Sequence, residues 1–165
     1  MTPFEIIQSK IFENVQAFCP ILEHWKQTGD LIVFTNGCFD LLHRGHIDSL
    51  SKAAALGDRL IIGLNADVSL KLLKGKNRPI YDQQSRTIML ASLLMVDAVI
   101  LFYEVTPYEM IQTIQPDVLV KGSNYKIEEI VGSDIVLASG GRVEQIELTE
   151  GFSTTELINK IKLKF

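Results

Sequence analysis

Residues 31–57 leave few ways to fold. The run Leu31-Ile32-Val33-Phe34 has the length and β-branched content of a buried strand. Thr35-Asn36-Gly37-Cys38-Phe39-Asp40 follows as a glycine-bearing turn. Ile47, Leu50, Ala53 and Ala54 then recur at helical spacing, with Gly57 as the expected C-cap. The stretch reads strand, turn, helix, and His43 and His46 flank Gly45 where the helix begins. A helix N-terminus presents amides without partners and the positive end of a dipole, which suits phosphate. Two imidazoles add donors, and Gly45 lets a ligand approach the backbone. One histidine at a helix start is an ordinary polar residue. Two around a glycine, behind a strand and a glycine turn, point to phosphate handling.

The same grammar continues downstream. Strands are predicted at 59–64, 98–102, 118–120 and 142–146. Helices are predicted at 68–73, 83–94, 107–114 with Pro107 at N1, 127–138 with a break near Gly132, and 153–162 capped by Ser153 or Thr154. The alternation predicts an α/β fold, a Rossmann-like doubly wound sheet of five parallel strands covered on both faces. Ligands in such sheets sit beyond the carboxyl ends of the strands, at the topological switch point. Asn65, Lys121-Gly122 and residues 149–155 all follow predicted strands, which argues for one shared site. Ahead of this lies a separate helical lead-in, residues 1–29. Phe4, Ile7, Ile11, Val15, Phe18, Leu22 and Trp25 recur there at three- and four-residue steps, and Pro20 is expected to divide it into two helices. It is expected to pack on its own domain, with a homodimer contact as the alternative.

Bulk properties exclude several classes. The 165 residues suit one domain with one core. No apolar run approaches the ~20 residues of a membrane-spanning helix. Residues 1–10 lack a basic region followed by an apolar one, so no secretory signal is expected. The net charge of −4 weighs against nucleic acid as a partner. Cys19 and Cys38 form neither a metal pattern nor a disulfide framework, and a reducing cytoplasm is the expected setting.

His43-Arg44-Gly45-His46 fits a His-x-Gly-His signature. Together with Asn36–Asp40, Leu73–Ile80, Pro116–Gly122 and Glu150–Thr155, it makes residues 30–163 resemble the cytidylyltransferase-like nucleotidyltransferase superfamily, in its heptose 1-phosphate adenylyltransferase branch. The resemblance implies transfer of AMP from ATP to D-glycero-β-D-manno-heptose 1-phosphate, giving ADP-heptose and pyrophosphate for envelope polysaccharide. The attacking oxygen is already anionic, so catalysis rests on positioning and on neutralising charge. By resemblance, residues 30–165 are the nucleotidyltransferase domain, and His43, His46, Lys74 and Arg86 are catalytic, Arg86 facing the phosphates. Nucleotide and phosphate contacts fall on Thr35, Asn36, Gly37, Cys38, Phe39, Asp40, Gly45, Asn65, Lys121 and Gly122, and again on Gly151, Ser153, Thr154 and Thr155. The sugar phosphate falls to Asp40, Lys74, Arg78 and Lys121. Mg²⁺ is expected as a bridge across the ATP phosphates, with no protein metal site. A separate sugar kinase and phosphatase are the expected suppliers of the sugar 1-phosphate.

Plainer readings stand beside these. Asp40 is equally an N-cap or turn carboxylate. Lys74, Lys76 and Arg78 read as a flexible loop of solvated charge. Nothing marks Cys38 as an activated nucleophile, and it reads as a small packing residue. Ser123-Asn124 replaces the family's usual Gly-Asp. A cytidylyltransferase acting on glycerol 3-phosphate is the alternative function. Such enzymes carry an arginine where this chain has Leu148 and lack Lys121-Gly122. A non-catalytic nucleotide-binding module is disfavoured by the intact motifs, and a dinucleotide-binding domain by the missing Gly-x-Gly-x-x-Gly.

Overall fold

The computed structural model describes residues 1–164. Helix α1 (Pro3–Gln8) leads to a short strand β1 (Ile11–Phe12) and to α2 (Val15–Thr28). The chain then alternates: β2 (Ile32–Gly37), α3 (Arg44–Ala54), β3 (Arg59–Asn65), α4 (Asp67–Lys74), α5 (Gln83–Ala91), β4 (Ala98–Phe102), α6 (Tyr108–Ile114) and β5 (Val118–Gly122). It closes with α7 (Ser133–Ala138), β6 (Arg142–Ile146) and α8 (Thr154–Lys164). The sheet order is β1-β4-β3-β2-β5-β6, with every pair parallel. From β2 the chain winds outward through β3 and β4, then crosses back to β5 and β6. The switch point therefore lies between β2 and β5.

All five predicted strands are present, and three run further than predicted, β3 by the single residue Asn65. β2 continues to Gly37, so Asn36 and Gly37 pair with Gly63 and Leu64 instead of turning. β5 continues to Gly122. A sixth strand, β1, was not predicted. Ile11 and Phe12 pair with Val99 and Ile100 at the sheet edge. Two residues cannot show a period of two, and Ile11 also fitted the helical spacing of its neighbours. Pro20 does not divide the lead-in. The break falls at residues 9–14, and α2 is capped by Asn14, whose side chain accepts from Ala17 N at 2.9 Å. Pro20 sits inside α2, exposed beside exposed Gln16, so water can serve the Gln16 carbonyl that Pro20 cannot. Gly57 is not a C-cap either. A Cβ there would lie 2.7 Å from Leu31 O and 2.6 Å from Val33 Cγ2, so the glycine serves close packing.

Strand alternation splits the core in two. Ile32, Phe34, Ile61 and Leu119 face α2, α6 and α7, meeting Phe18, Ile111 and Val136. Val33, Leu60, Ile62 and Val118 face α3 and α5, meeting Leu50, Ala53 and Leu90. Each such side chain contributes about 1.5–3 kcal/mol of burial. Phe18 is fully buried, so the lead-in helix α2 belongs to this core. No helix among the described residues is long and apolar enough to cross a membrane.

Candidate active site

A cleft of about 530 Å³ opens beyond the carboxyl ends of β2, β3 and β5, at the switch point. That volume suits a ligand of nucleotide size. The two strands flanking the switch are tied across it. Lys121 Nζ, at the end of β5, donates to Asn36 O (3.2 Å) and Asn36 Oδ1 (3.3 Å) at the end of β2. Asn36, Gly37, Cys38, Phe39 and Asp40 line one wall, with His43, Gly45 and His46 beside them. Asn65, Lys74 and Arg78 line a second wall, and Lys121 with Ser153, Thr154 and Thr155 completes the cleft. Four expected residues lie elsewhere. Thr35 and Gly122 belong to a side slot, Gly151 borders a groove beside the start of α8, and Arg86 is buried and does not line the cleft.

The histidine rings stack at 3.8 Å with 19° between their planes. The His43 backbone N–H donates to His46 Nδ1 at 3.4 Å, so a neutral His46 carries its proton on Nε2. Burial, and then the neighbouring His43, push the His46 pKa down to about 4, and burial also lowers that of His43. His46 is thus a neutral N–H donor at pH 7. Gly45 permits this packing, since a Cβ there would lie 3.0 Å from Phe152 Cβ and 3.1 Å from His43 Nδ1. Phe39 takes φ +44, costly for a side-chain-bearing residue, and sets its ring 5.2 Å from His46. The depressed pKa has a consequence for stability. The unfolded chain protonates His46 near 6.5, whereas the fold resists until about 4. In that window the unfolded state holds more protons, so this group costs stability as pH falls. His46→Gln is expected to flatten the loss, read as a smaller change in urea midpoint between about pH 7 and about pH 5.

Asp40 and the basic loop behave differently from expectation. Asp40 is 1 % exposed. Its carboxylate accepts from Ile80 N (2.8 Å) and Tyr81 N (3.0 Å) and pairs with the Arg78 guanidinium. It is neither an N-cap nor a free sugar ligand. It ties the loop after α4 to the turn after β2. Arg78 still lines the cleft, with its charge largely matched by Asp40. Lys74 lines the cleft and Lys121 reaches into it, and neither has a carboxylate partner among the described residues. Lys76 is exposed and outside the lining.

Arg86 departs furthest from its expected place. It is fully buried and does not face the cleft. Nη1 donates to Cys38 O and Asn65 O, both at 2.8 Å, and Nε to Tyr81 O at 3.0 Å. Nη2 pairs with Asp67 Oδ1 at 2.7 Å. One guanidinium thus ties the turn after β2, the end of β3, the start of α4 and the basic loop. It joins the segments that line the cleft and does not itself line it.

On the far wall, burial and then Lys74 lower the Lys121 pKa, against the pull of Cys38. Its ammonium sits 5.6 Å over the Tyr125 ring. At the start of α8 the hydroxyls divide their work. Ser153 Oγ accepts from Glu156 N (3.0 Å) as the cap, and the Thr154 hydroxyl donates to Leu41 O (3.4 Å). Burial raises the Cys38 thiol pKa despite nearby Lys74, Arg86 and Arg78, so the thiol is not activated. Cys38→Ser is expected to keep turnover within an order of magnitude. Loss of pyrophosphate release in a folded Cys38→Ser protein would contradict direct transfer. Asn124 turns back over Gly122, its Oδ1 2.9 Å from where a Cβ would stand there, and does not line the cleft.

Some lining residues escaped the sequence reading. Ser49 lies one helical turn after His46, and Phe152 sits inside the 150–155 motif, so spacing offered a signal for both. Val105 and Tyr125 carried none. No group of three or more His, Cys, Asp or Glu able to hold a metal occurs among the described residues. Asp40, the one carboxylate in the lining, is saturated by Arg78 and two amides.

A doubly wound sheet thus brings paired imidazoles, helix N-termini and unmatched lysines around a nucleotide-sized cleft at its switch point. Residues 34–160 match the Cytidylyltransferase-like family, and the chain belongs to it. It is a nucleotidyltransferase. It is 54% identical over 141 residues to the bifunctional protein HldE of Caulobacter vibrioides, covering 86% of this chain and 29% of that one. It is 45% identical over 170 residues to the HldE of Geobacter metallireducens, covering 98% and 35%. The chain therefore spans about a third of the length of these relatives. Among solved structures it is similar to the lipopolysaccharide core biosynthesis protein of Thermoplasma volcanium, with TM-score 0.60, 30% identity, and coverage of 73% and 98%. The pantoate-beta-alanine ligase of Francisella tularensis shares the fold, with TM-score 0.57 at 18% identity over 92% of this chain and 77% of that one.

Proposed function

We propose that the chain transfers AMP from ATP to D-glycero-β-D-manno-heptose 1-phosphate, releasing pyrophosphate, as a cytoplasmic step toward envelope polysaccharide. The carrying observation is the character of the cleft: neutral and cationic donors around one space, with no activated nucleophile and no free carboxylate base. That set suits a reaction whose nucleophile is already an anion. The sugar phosphate oxygen attacks the α-phosphorus. His46 Nε2–H donates to the non-bridging oxygen that gains charge there. Lys121 and Lys74 offset the triphosphate, and the first amides of α3 and α8 receive its other oxygens. Bound Mg²⁺ would supply further charge neutralisation there. A separate kinase and phosphatase would provide the sugar 1-phosphate.

Lys121→Ala is expected to lower kcat/KM for ATP about tenfold or more, since it removes a desolvated cation from a phosphate. Steady-state pyrophosphate release checks this, and an unchanged value removes Lys121 from the site. The second reading is a cytidylyltransferase for glycerol 3-phosphate. Leu148, in place of that branch's arginine, borders the side slot, and the absence of that arginine favours the adenylyl reading. The deciding assay crosses ATP, CTP, GTP and UTP with heptose 1-phosphate, glycerol 3-phosphate and other small phosphates. Faster release from CTP and glycerol 3-phosphate would replace the first reading with the second.

A further inference from the structure

Beside the cleft runs a second groove of about 430 Å³, between the basic loop and α8. One stripe of α8 forms a wall: Thr155, Ile158, Asn159 and Lys162 recur at three- and four-residue steps. Asn77, Arg78 and Ile80 stand opposite. Arg78 and Thr155 also line the central cleft, so the two spaces are continuous and meet at those side chains. The Asp40 carboxylate, by holding Arg78 and the Ile80 amide, fixes one wall. No step of the proposed reaction uses the outer part of this groove.

Its chemistry differs from that of the other branch of the cleft. The side slot, about 190 Å³ between α3 and β5–β6, has an apolar wall of Leu50, Ala53, Val120, Ile146 and Leu148 and is also lined by Asn36, His46, Ser49 and Lys121. A narrow slot with one apolar wall suits a flat base. The groove along α8 has an apolar floor, Ile80 and Ile158, rimmed by two carboxamides and two cations. Ile80 is 53% exposed, a branched side chain left open to a ligand. A sugar phosphate matches that arrangement: a carbon face, a rim of hydroxyls and an anion at one end.

We infer that this groove is the acceptor subsite. The sugar phosphate group enters at Arg78 and Thr155, where cleft and groove meet. The ring lies against Ile80 and Ile158, and its hydroxyls bond to the Asn77 and Asn159 amides. Asn77 and Asn159 thus become specificity-determining residues. The inference rests on the function proposed above.

The test is steady-state kinetics on the full chain with ATP and heptose 1-phosphate, comparing wild type, Asn159→Ala, Asn77→Ala and the double variant. Both asparagines are exposed, so melting temperatures should match wild type. Each single change is expected to raise the acceptor KM by about threefold to tenfold, the scale of one lost hydrogen bond, with kcat and the ATP KM unchanged. An unchanged acceptor KM overturns the assignment. So does a raised ATP KM, which would give the groove to the triphosphate. If wild type instead turns over only glycerol 3-phosphate, the proposed function fails by itself. The groove is then judged with that acceptor: a raised KM in Asn159→Ala supports it, and an unchanged one overturns it.

Discussion

His46→Ala is expected to lower the rate of nucleotidyl transfer about 10²- to 10³-fold in a protein that stays folded, the usual cost of removing one preorganised transition-state donor. The expectation follows from how the ring is held. Its Nδ1 is occupied by the His43 amide, so Nε2–H is the end that remains to donate. Its stacking on His43 and its contact with Phe39 fix its orientation before substrate arrives. Charge grows on the α-phosphate oxygens only in the transition state, so the loss should fall on kcat and spare KM. With a pKa near 4, His46 is already neutral throughout the ordinary working range. The kcat/KM profile of wild type should therefore show no His46 titration from about pH 5 to 8. Single-turnover pyrophosphate release, beside circular dichroism and a thermal melt, checks the assignment. A folded His46→Ala protein with near-normal turnover would overturn it.

Legibility in the sequence followed distance along the chain. The β2–α3 turn was readable because strand, glycine, histidines and helix lie within one contiguous stretch. The parallel sheet was readable because five apolar runs of strand length alternate with helical spacing. Strand β1 was not, because Ile11 and Phe12 are too few to show alternation and Val15 continues a helical period past them. The roles of Asp40 and Arg86 were not readable for a different reason. Asp40 bonds a loop some forty positions downstream, and Arg86 bonds Cys38 and Asn65 far upstream. Composition shows a charge but not which backbone groups it will close. In both cases the resemblance supplied the residue and misjudged its contact. A residue can matter to a phosphate site through the carbonyls it holds as well as through the phosphates it touches.

Arg86 offers the test of that distinction. Arg86→Met keeps volume but leaves the Cys38, Asn65 and Tyr81 carbonyls without this donor and Asp67 without its ion partner. Breaking a buried pair in this way costs about 3 kcal/mol or more, and Asp67 being 31% exposed places the expectation at that lower end. For a chain of this size that is a fall of roughly 6–12 °C in melting temperature. Arg86→Lys separates positioning from contact. A lysine keeps the charge but cannot fork to two carbonyls and a carboxylate at once. If Arg86 faced phosphate, Arg86→Lys would mainly raise the KM for ATP. Acting through the backbone, it should instead lower kcat about 10- to 100-fold with a smaller change in either KM. The β2 turn that carries the histidines and the loop that follows Lys74 would lose their common anchor, and misplacement by about 1 Å is enough for such a loss. Steady-state kinetics of Arg86→Lys, read beside its melting temperature, decides between the two. A folded variant with wild-type kcat, or one altered only in its KM for ATP, would show that the buried guanidinium is not what sets the geometry of the cleft.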